Sequence, residues 1–235
     1  MHPFTWFNFI PFVKNYATEE YLHVVIAAFI TVICVVFSLY MYSMLRKIKN
    51  PEVPDSRFSL RTFVELIAGL LLSIGTEIMG DKNAKKFFPI IASVFLFIFM
   101  SNAIGLIPGF VPPTDNINTT LSCGVFIFVY YNFVGFKEHG ISYMKHFFGP
   151  VLWLSPLMFP IELISNAVRP LSLGLRLFGN ITGDHLVLSI FSKLAPIGVP
   201  IPFMALGLFI SFFQAFIFVI LSMIYLTLAL AHEEH

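Results

Sequence analysis

Long apolar runs dominate this chain and restrict the folds open to it. The clearest run, residues 22–44, contains no Asp, Glu, Lys or Arg, and about 20 apolar residues suffice to cross a hydrocarbon core of roughly 30 Å. Of the 235 residues, 57% are hydrophobic and only 11% are charged, whereas roughly 25% are charged in a soluble domain. We therefore expect an all-α polytopic membrane protein that forms a single membrane domain.

Five apolar segments are long enough to span a membrane, and a sixth has a different pattern. The predicted spans are residues 22–44, 87–106, 119–136, 160–191 and 202–231. Residues 60–79 place Arg61, Glu65 and Glu77 among apolar residues at helical spacing. This pattern predicts an interfacial amphipathic helix, with a poorly hydrophobic spanning helix as the alternative. Residues 81–86 are predicted to form a polar, basic loop.

The last two apolar segments are too long for upright spans. At about 1.5 Å per residue, residues 160–191 make about 48 Å of helix and residues 202–231 about 45 Å. We expect both helices to tilt and to form an antiparallel hairpin that turns at residues 196–200, with protrusion or a break at Pro170 as alternatives. Pro160 is predicted to be the first helical residue of this hairpin.

Basic residues are unequally divided between the alternating loops. With the N-terminus outside, the inner side holds ten Lys and Arg residues between Arg46 and Lys145, whereas the outer side holds only Lys14 and Lys193. The positive-inside rule therefore predicts an outer N-terminus and a cytoplasmic C-terminus. No basic leader with a cleavable apolar run is recognised, so no signal peptide is expected. The net charge of +1 gives no indication of a nucleic-acid partner.

Arg176 is a permanent charge inside an apolar stretch, residues 171–188, that is otherwise uncharged until Asp184 and His185. A guanidinium keeps its proton below about pH 12. An arginine at mid-bilayer costs about 2.5 to 3.5 kcal/mol on insertion scales. This charge predicts a role in ion movement, with a purely structural ion pair as the alternative.

Several polar residues share one face of the helix with Arg176. At about 100° per residue, Arg169 lies about 20° from Arg176, and Glu162, Ser172 and Asn180 lie about 40° from it. These residues predict a polar ridge along the helix. Alternatively, Glu162 and Arg169 are only neighbouring or paired groups at the helix end.

Acidic groups lie on both sides of the central arginine. Along the helix, Glu162 is about 21 Å closer to the inner side than Arg176 is. Asp184 and His185 are about 12 to 14 Å closer to the outer side than Arg176 is. Carboxylates and imidazoles can exchange protons near neutral pH when their surroundings shift their pKa values, whereas a guanidinium cannot. The pattern predicts two half-channels separated by Arg176. The alternatives are that Asp184 polarises a helix break near Gly183 and that His185 is an ordinary buried histidine.

The last helix carries a sparse polar edge formed by Ser211, Gln214, Ser222 and Tyr225. Gln214 is expected to hydrogen-bond a partner of Arg176 across the hairpin, with an interhelical amide bond that serves only packing as the alternative.

Glycines and cysteines in the apolar runs are expected to serve packing. Gly174, Gly179 and Gly183 predict close helix contacts. Cys34 and Cys123 are read as small buried hydrophobes rather than as a disulfide. No His-Glu-x-x-His motif and no nucleophile paired with a base is present, so we expect no metal and no cofactor.

Three parts of the chain resemble subunit a of the F-type ATP synthases. The most specific is residues 170–180, Pro-Leu-Ser-Leu-Gly-Leu-Arg-Leu-Phe-Gly-Asn. Residues 101–108 with 113–119 resemble the middle loop of that family, and residues 214–225 with the terminal Glu-Glu-His resemble its last helix. The resemblance extends over most of the chain from about residue 60.

The resemblance implies roles for individual residues. Arg176 would face the carboxylate of a rotor ring, with Gln214 as its partner. Proton translocation would further involve Glu162 on the inner side, Asn180 near the arginine, and Asp184 and His185 on the outer side, with Arg169, Ser172, Ser211 and Tyr225 as auxiliary polar lining. The family commonly carries His or Glu seven residues before the glutamine, where this chain has Gly207, so Asp184 is expected to supply the missing acid.

The implied protein is a proton-conducting stator subunit that is not catalytic by itself and lies in the inner membrane of a bacterium. Its partners would be the c-subunit ring, the peripheral-stalk b subunits, the rest of the ATP synthase and membrane lipid. Two other functions stay open on the residues alone. One is a secondary transporter in which Arg176 binds an anionic substrate, and the other is an intramembrane enzyme that uses His185 and Asp184.

Overall fold

The computed structural model describes residues 21–46, 59–107, 110–140, 143, 155–194 and 200–231. Within these ranges the chain forms six long helices, which are α1 (Leu22–Arg46), α2 (Leu60–Met79), α3 (Asp81–Ala103), α4 (Ile117–His139), α5 (Ser155–Leu194) and α6 (Pro200–Leu230). Two short 3-10 helices, Ile104–Leu106 and Pro113–Asp115, lie between α3 and α4. The described ranges contain no β-strand. The predicted all-α fold is confirmed.

Five of these helices are long and apolar enough to cross a membrane. They are α1, α2, α3 together with the 3-10 turn that follows it, α4, and α6 from residue 201 onwards. The composition agrees with the predicted polytopic membrane protein. The long helix α5, which carries Glu162, Arg169, Arg176 and Asp184, does not belong to this apolar set. The interfacial position of α2 and the membrane crossing of α5 stay predictions.

Local sequence explains where α2 begins and ends. The Ser59 hydroxyl accepts a hydrogen bond from the Thr62 amide at the start of α2, as expected of an N-cap. Gly80 ends the helix at φ 76°, a backbone conformation that favours glycine. Because the chain turns at this single residue, α3 starts directly at Asp81. The predicted loop at residues 81–86 is therefore wrong, since these residues form the first turns of α3.

Helix α5 is longer than predicted and is not interrupted. It begins at Ser155 and runs for 40 residues, with Pro160 and Pro170 in its interior. The prediction that Pro160 opens the helix is wrong, because an interior proline removes one backbone hydrogen bond and bends a helix without necessarily ending it. At about 1.5 Å per residue the helix is about 60 Å long.

The described residues form two compact units. The first contains α1, α2, α3, the chain up to Pro113 and the central part of α6, Gly207–Ile220. Its core includes Ile26 and Ile30 of α1, packed against Phe97 of α3. The ring of Phe212 in α6 meets Phe95 of α3 edge-on, with 5.7 Å between ring centroids.

The second unit contains α4, α5 and the two ends of α6. The rings of Phe191 and Phe203 stack at 4.3 Å between centroids. Further along, the Arg169 guanidinium lies 5.5 Å from the centre of the Tyr225 ring. These contacts occur in reversed chain order, as predicted for an antiparallel hairpin. The predicted turn lies outside the described residues except for Pro200, which begins α6.

Helices α4 and α5 approach closely at two glycines. A Cβ atom on Gly124 of α4 would collide with the Pro170 carbonyl of α5, and one on Gly174 of α5 would lie 2.9 Å from Cα of Leu121. The neighbouring atoms belong to the backbone, so a larger residue could be accommodated only by separating the helices. The predicted packing role of Gly174 is confirmed.

Replacing Gly124 should therefore destabilise this helix pair. We expect Gly124→Val to lower the thermal unfolding temperature of the purified chain in detergent, since overpacking costs about 1 to 3 kcal/mol even where side chains can adjust. Gly69→Val is the matched control, because no atom lies within 4 Å of a Cβ at Gly69. Equal unfolding temperatures for the two variants would contradict the close approach of α4 and α5.

Candidate functional site

Arg176 lies on the exposed side of α5. Its side chain is exposed, whereas those of the nearby Leu173 and Leu177 are buried. Leu171 and Leu175 are both 44% exposed, so the cation stands beside apolar surface. Within the described part of the chain, the guanidinium has neither a hydrogen bond nor an ion pair. The alternative of a structural ion pair inside this part of the chain is therefore not realised.

Small residues surround this arginine. Gly179 and Gly183 lie about 60° and 20° from Arg176 around the helix, and no described atom lies within 4 Å of a Cβ built on either glycine. No described helix packs against these two glycines, because α4 packs on the side of α5 that carries Gly174. Their close-packing role stays a prediction. The surface beside Arg176 therefore has no side chain at these two positions and is not covered by any described residue there.

The predicted ridge through Arg176 is continuous, because α5 is one unbroken helix. Asn180 is exposed and Ser172 is half-buried. They lie about 40° to either side of the arginine. The polar ridge therefore faces the exposed side of α5 at this level.

Glu162 and Arg169 interact directly towards the beginning of α5. The Arg169 Nη2 and Glu162 Oε1 atoms are 3.7 Å apart. The same guanidinium lies over the ring of Tyr225 in α6. The structure therefore shows the alternative that Glu162 and Arg169 form a pair, here across two helical turns. Tyr225 belongs to the same cluster, because it contacts Arg169.

A buried hydrogen-bond network, which the sequence pattern does not predict, lies in the same unit. The Tyr131 hydroxyl of α4 donates to Asn166 Oδ1 of α5 at 2.5 Å. The Tyr143 hydroxyl donates to Asn132 Oδ1 at 3.1 Å, and Asn166 Nδ2 donates to the same oxygen at 3.5 Å. Burial raises the pKa of Tyr143, so its hydroxyl stays protonated near neutral pH. The only sequence signal was the presence of polar side chains within two apolar helices.

Removing the Tyr131 hydroxyl should weaken this network. Tyr131 and Asn166 are 2% and 5% exposed, and a buried acceptor that loses its donor costs about 1 to 3 kcal/mol. We expect Tyr131→Phe to lower the unfolding temperature of the purified chain. Tyr40→Phe is the control, since Tyr40 is 60% exposed and exposed substitutions usually change stability by less than about 0.5 kcal/mol. If both variants unfold at the wild-type temperature, the network does not support the fold.

Asp184 and His185 are both half-buried but point in different directions. On the continuous helix, Asp184 lies about 80° from Arg176 and His185 about 180° from it. His185 shares the side of α5 that carries Gly174, which packs against α4. The alternative of a helix break near Gly183 is not observed, because α5 continues to Leu194.

Asp115 is a further acidic residue near the outer part of α5. Its Oδ1 atom accepts a hydrogen bond of 2.7 Å from the Thr182 hydroxyl. The sequence pattern predicts no functional role for this residue, because a residue between the long helices shares no helical periodicity with α5. Within the described ranges, no group of three or more His, Cys, Asp or Glu side chains could hold a metal ion.

The residues that form the polar edge of α6 are mostly buried. Ser211, Gln214 and Ser222 are buried, with Gln214 only 2% exposed, whereas Tyr225 is half-buried. Tyr225 meets Arg169, as described above. The pairing of Gln214 near Arg176 stays a prediction.

The fold and site define an all-helical polytopic membrane protein with a permanent cation exposed on a long helix that carries a polar ridge. The sequence profile of the family described as ATP synthase A chain matches residues 24–227, so this chain belongs to that family. It is 46% identical over 232 residues to ATP synthase subunit a of Bdellovibrio bacteriovorus, which covers 98% of this chain and 99% of the relative. It is also similar to ATP synthase subunit a of Geotalea daltonii, with 54% identity over 167 residues that cover 71% of this chain and 72% of the relative. The protein of the same name from Geobacter sulfurreducens is 52% identical with the same coverage.

Proposed function

We propose that this chain is the proton-conducting stator subunit of an F-type ATP synthase in a bacterial inner membrane. It provides two offset half-channels, and each proton passes between them on a rotating ring of c subunits. The observation that carries this proposal is the exposed Arg176 guanidinium, which has no counter-ion in the described part of the chain. Membership of the ATP synthase A chain family supports it.

The surface around Arg176 suits a partner that brings its own carboxylate. Gly179 and Gly183 leave room beside the arginine, so the helix of another subunit can approach closely. A charge pair at 4 Å is worth about 4 kcal/mol at an effective dielectric constant of about 20. A ring carboxylate that reaches Arg176 therefore gives up its proton more readily, because the arginine stabilises its ionised form.

The same charge prevents a direct leak between the half-channels. A cation moving straight through would have to pass a guanidinium that cannot lose its proton at physiological pH. A proton crossing 100 mV releases about 2.3 kcal/mol, and a leak would dissipate this free energy without turning the ring. Arg176 thus couples ion flow to rotation.

The groups before and after Arg176 supply the two half-channels. Glu162, next to Arg169, belongs to the inner one, and Asp184 and His185 belong to the outer one. Asn180 lies on the arginine's own face of α5, and Gln214 of α6 is the proposed partner of Arg176. The lining is completed by Ser172, Ser211 and Tyr225.

The chain acts only as part of a larger assembly. Its partners are the c-subunit ring, the peripheral-stalk b subunits and the remaining subunits of the synthase, with lipid around them. It performs no catalysis by itself and needs no cofactor. Its N-terminus lies outside and its C-terminus in the cytoplasm.

Removing the positive charge of Arg176 should uncouple the complex. We expect Arg176→Ala to abolish ATP-driven proton pumping by the reconstituted synthase, measured by quenching of a pH-sensitive dye, while the subunit composition stays normal. Arg46→Ala, which removes an arginine from the end of α1, is the control and should keep pumping. Coupled pumping by Arg176→Ala would refute the gating role, and saturable solute uptake by the isolated wild-type chain would favour a transporter instead.

The proposed orientation predicts opposite accessibility for the two ends of α4. In a chain in which Cys34 and Cys123 are replaced by Ser, Asn118→Cys should react with an impermeant maleimide added to intact cells. Lys137→Cys should react only in inverted vesicles. Both parent positions are exposed, so burial does not limit labelling, and the reverse pattern would overturn the topology.

A further inference from the structure

The Asp115 carboxylate is held against the outer half of α5. Thr182 donates to Asp115 Oδ1 at 2.7 Å across 67 positions of the chain, and both residues belong to the second compact unit. Both side chains are half-buried. Through this hydrogen bond, the Asp115 carboxylate attaches the end of the 3-10 helix Pro113–Asp115 to α5.

The position of Thr182 places this carboxylate on the side of His185. Thr182 and His185 are three residues apart on one helix, a spacing at which Cβ atoms are about 5 to 6 Å apart. They lie about 60° apart around the axis, whereas Asp184 lies about 160° from Thr182. The imidazole of His185 has no hydrogen bond to any described residue. Through Thr182, Asp115 is therefore attached to the side of α5 that also carries His185, one helical turn further along.

Few other charges face this pair. Helix α4 has no Asp, Glu, Lys, Arg or His before Lys137, near its far end, and residues 110–114 and 201–206 have none either. The other titratable groups on α4 before Lys137 are Cys123 and two tyrosines. On the outer half of α5, the charged neighbours with described side chains are Asp184 and, about 14 Å along the helix from His185, Arg176.

We propose that Asp115 is a proton-relay residue of the outer half-channel and passes protons to His185. This inference rests on the function proposed above. A hydronium ion protonates the Asp115 carboxylate and leaves as water. The resulting carboxylic acid then protonates the His185 imidazole, directly or through one water, and returns to the carboxylate. The imidazolium gives its proton onward to a ring carboxylate and is neutral again.

This relay also supplies an acid that the last helix lacks. Position 207, where a His or Glu was expected by resemblance, is glycine. The loop before α4 provides a carboxylate from outside α5 instead. The outer path then uses residues of two different elements, and the Thr182 hydroxyl fixes the geometry between them.

The test uses the complete synthase reconstituted in vesicles with the outer face of this chain towards the lumen. ATP synthesis is driven by a fixed electrical potential while the luminal pH is varied. We expect Asp115→Asn, which keeps the size and an acceptor for Thr182, to reduce the maximal rate about tenfold or more, because a positioned acid or base typically contributes at least this much. The dependence of the rate on luminal pH should change as well, because a carboxylate that takes up and releases protons has been removed from the path.

Companion variants separate a relay from a structural contact. Asp115→Glu should restore at least half of the rate and the wild-type pH profile, and Thr182→Val should give an intermediate rate. Asp81→Asn, at the exposed start of α3, is the matched control and should leave the maximal rate and the pH profile unchanged.

Two outcomes would overturn the relay. One is an unchanged rate and pH profile in Asp115→Asn. The other is an equal loss in Asp115→Asn and Asp115→Glu that parallels a loss of assembled complex, which would make Asp115 a structural contact only. In either case Arg176→Ala in the same vesicles still tests the proposed function, because coupled synthesis by that variant would refute the gating role whatever Asp115 does.

Discussion

A guanidinium that cannot deprotonate, placed on apolar surface without a counter-ion in the described ranges, is the constraint on which the rest of this structure depends. Insertion of such a group into a membrane costs about 2.5 to 3.5 kcal/mol, and the described residues provide no ion pair that would offset the cost at Arg176. Water, or an anion from outside the described residues, would lower this free energy. In the proposed function, a carboxylate of a partner subunit supplies this anion, so that Arg176 marks a surface that the assembly covers.

Glycine packing decides which way that cation points. Gly124 and Gly174 let the backbones of α4 and α5 approach closely, and this contact fixes the rotation of α5 about its own axis. Once the Gly174 side faces α4, Arg176 lies on the exposed side and His185 lies on the side of α4. The positions of the charged groups thus follow from a steric contact between residues that carry no charge.

Helical periodicity predicted much of this arrangement but could not predict contacts between elements. The five apolar runs and the amphipathic pattern of residues 60–79 predicted the six helices, and a repeat of about 100° per residue correctly grouped Ser172, Arg176 and Asn180 on one face. The start of α5 was misjudged, because a proline inside a helix gives the same sequence signal as a proline at its start. The bond from Tyr131 to Asn166 and that from Thr182 to Asp115 depend on how two elements face each other, which no single-helix pattern contains.

The comparison of Arg169 with Arg176 shows why environment, rather than residue type, distinguishes a structural cation from a functional one. The two arginines lie seven residues apart, about 20° from each other on α5, and the sequence pattern treats them almost alike. Arg169 has Glu162 at 3.7 Å and the Tyr225 ring at 5.5 Å, so its charge is balanced within the chain. Arg176 has no such partner among the described residues. A mobile carboxylate arriving beside α5 gains more from the unpaired arginine than from the paired one, because Glu162 already screens Arg169. This difference is why the proposed function assigns the contact with the ring carboxylate to Arg176 and not to Arg169.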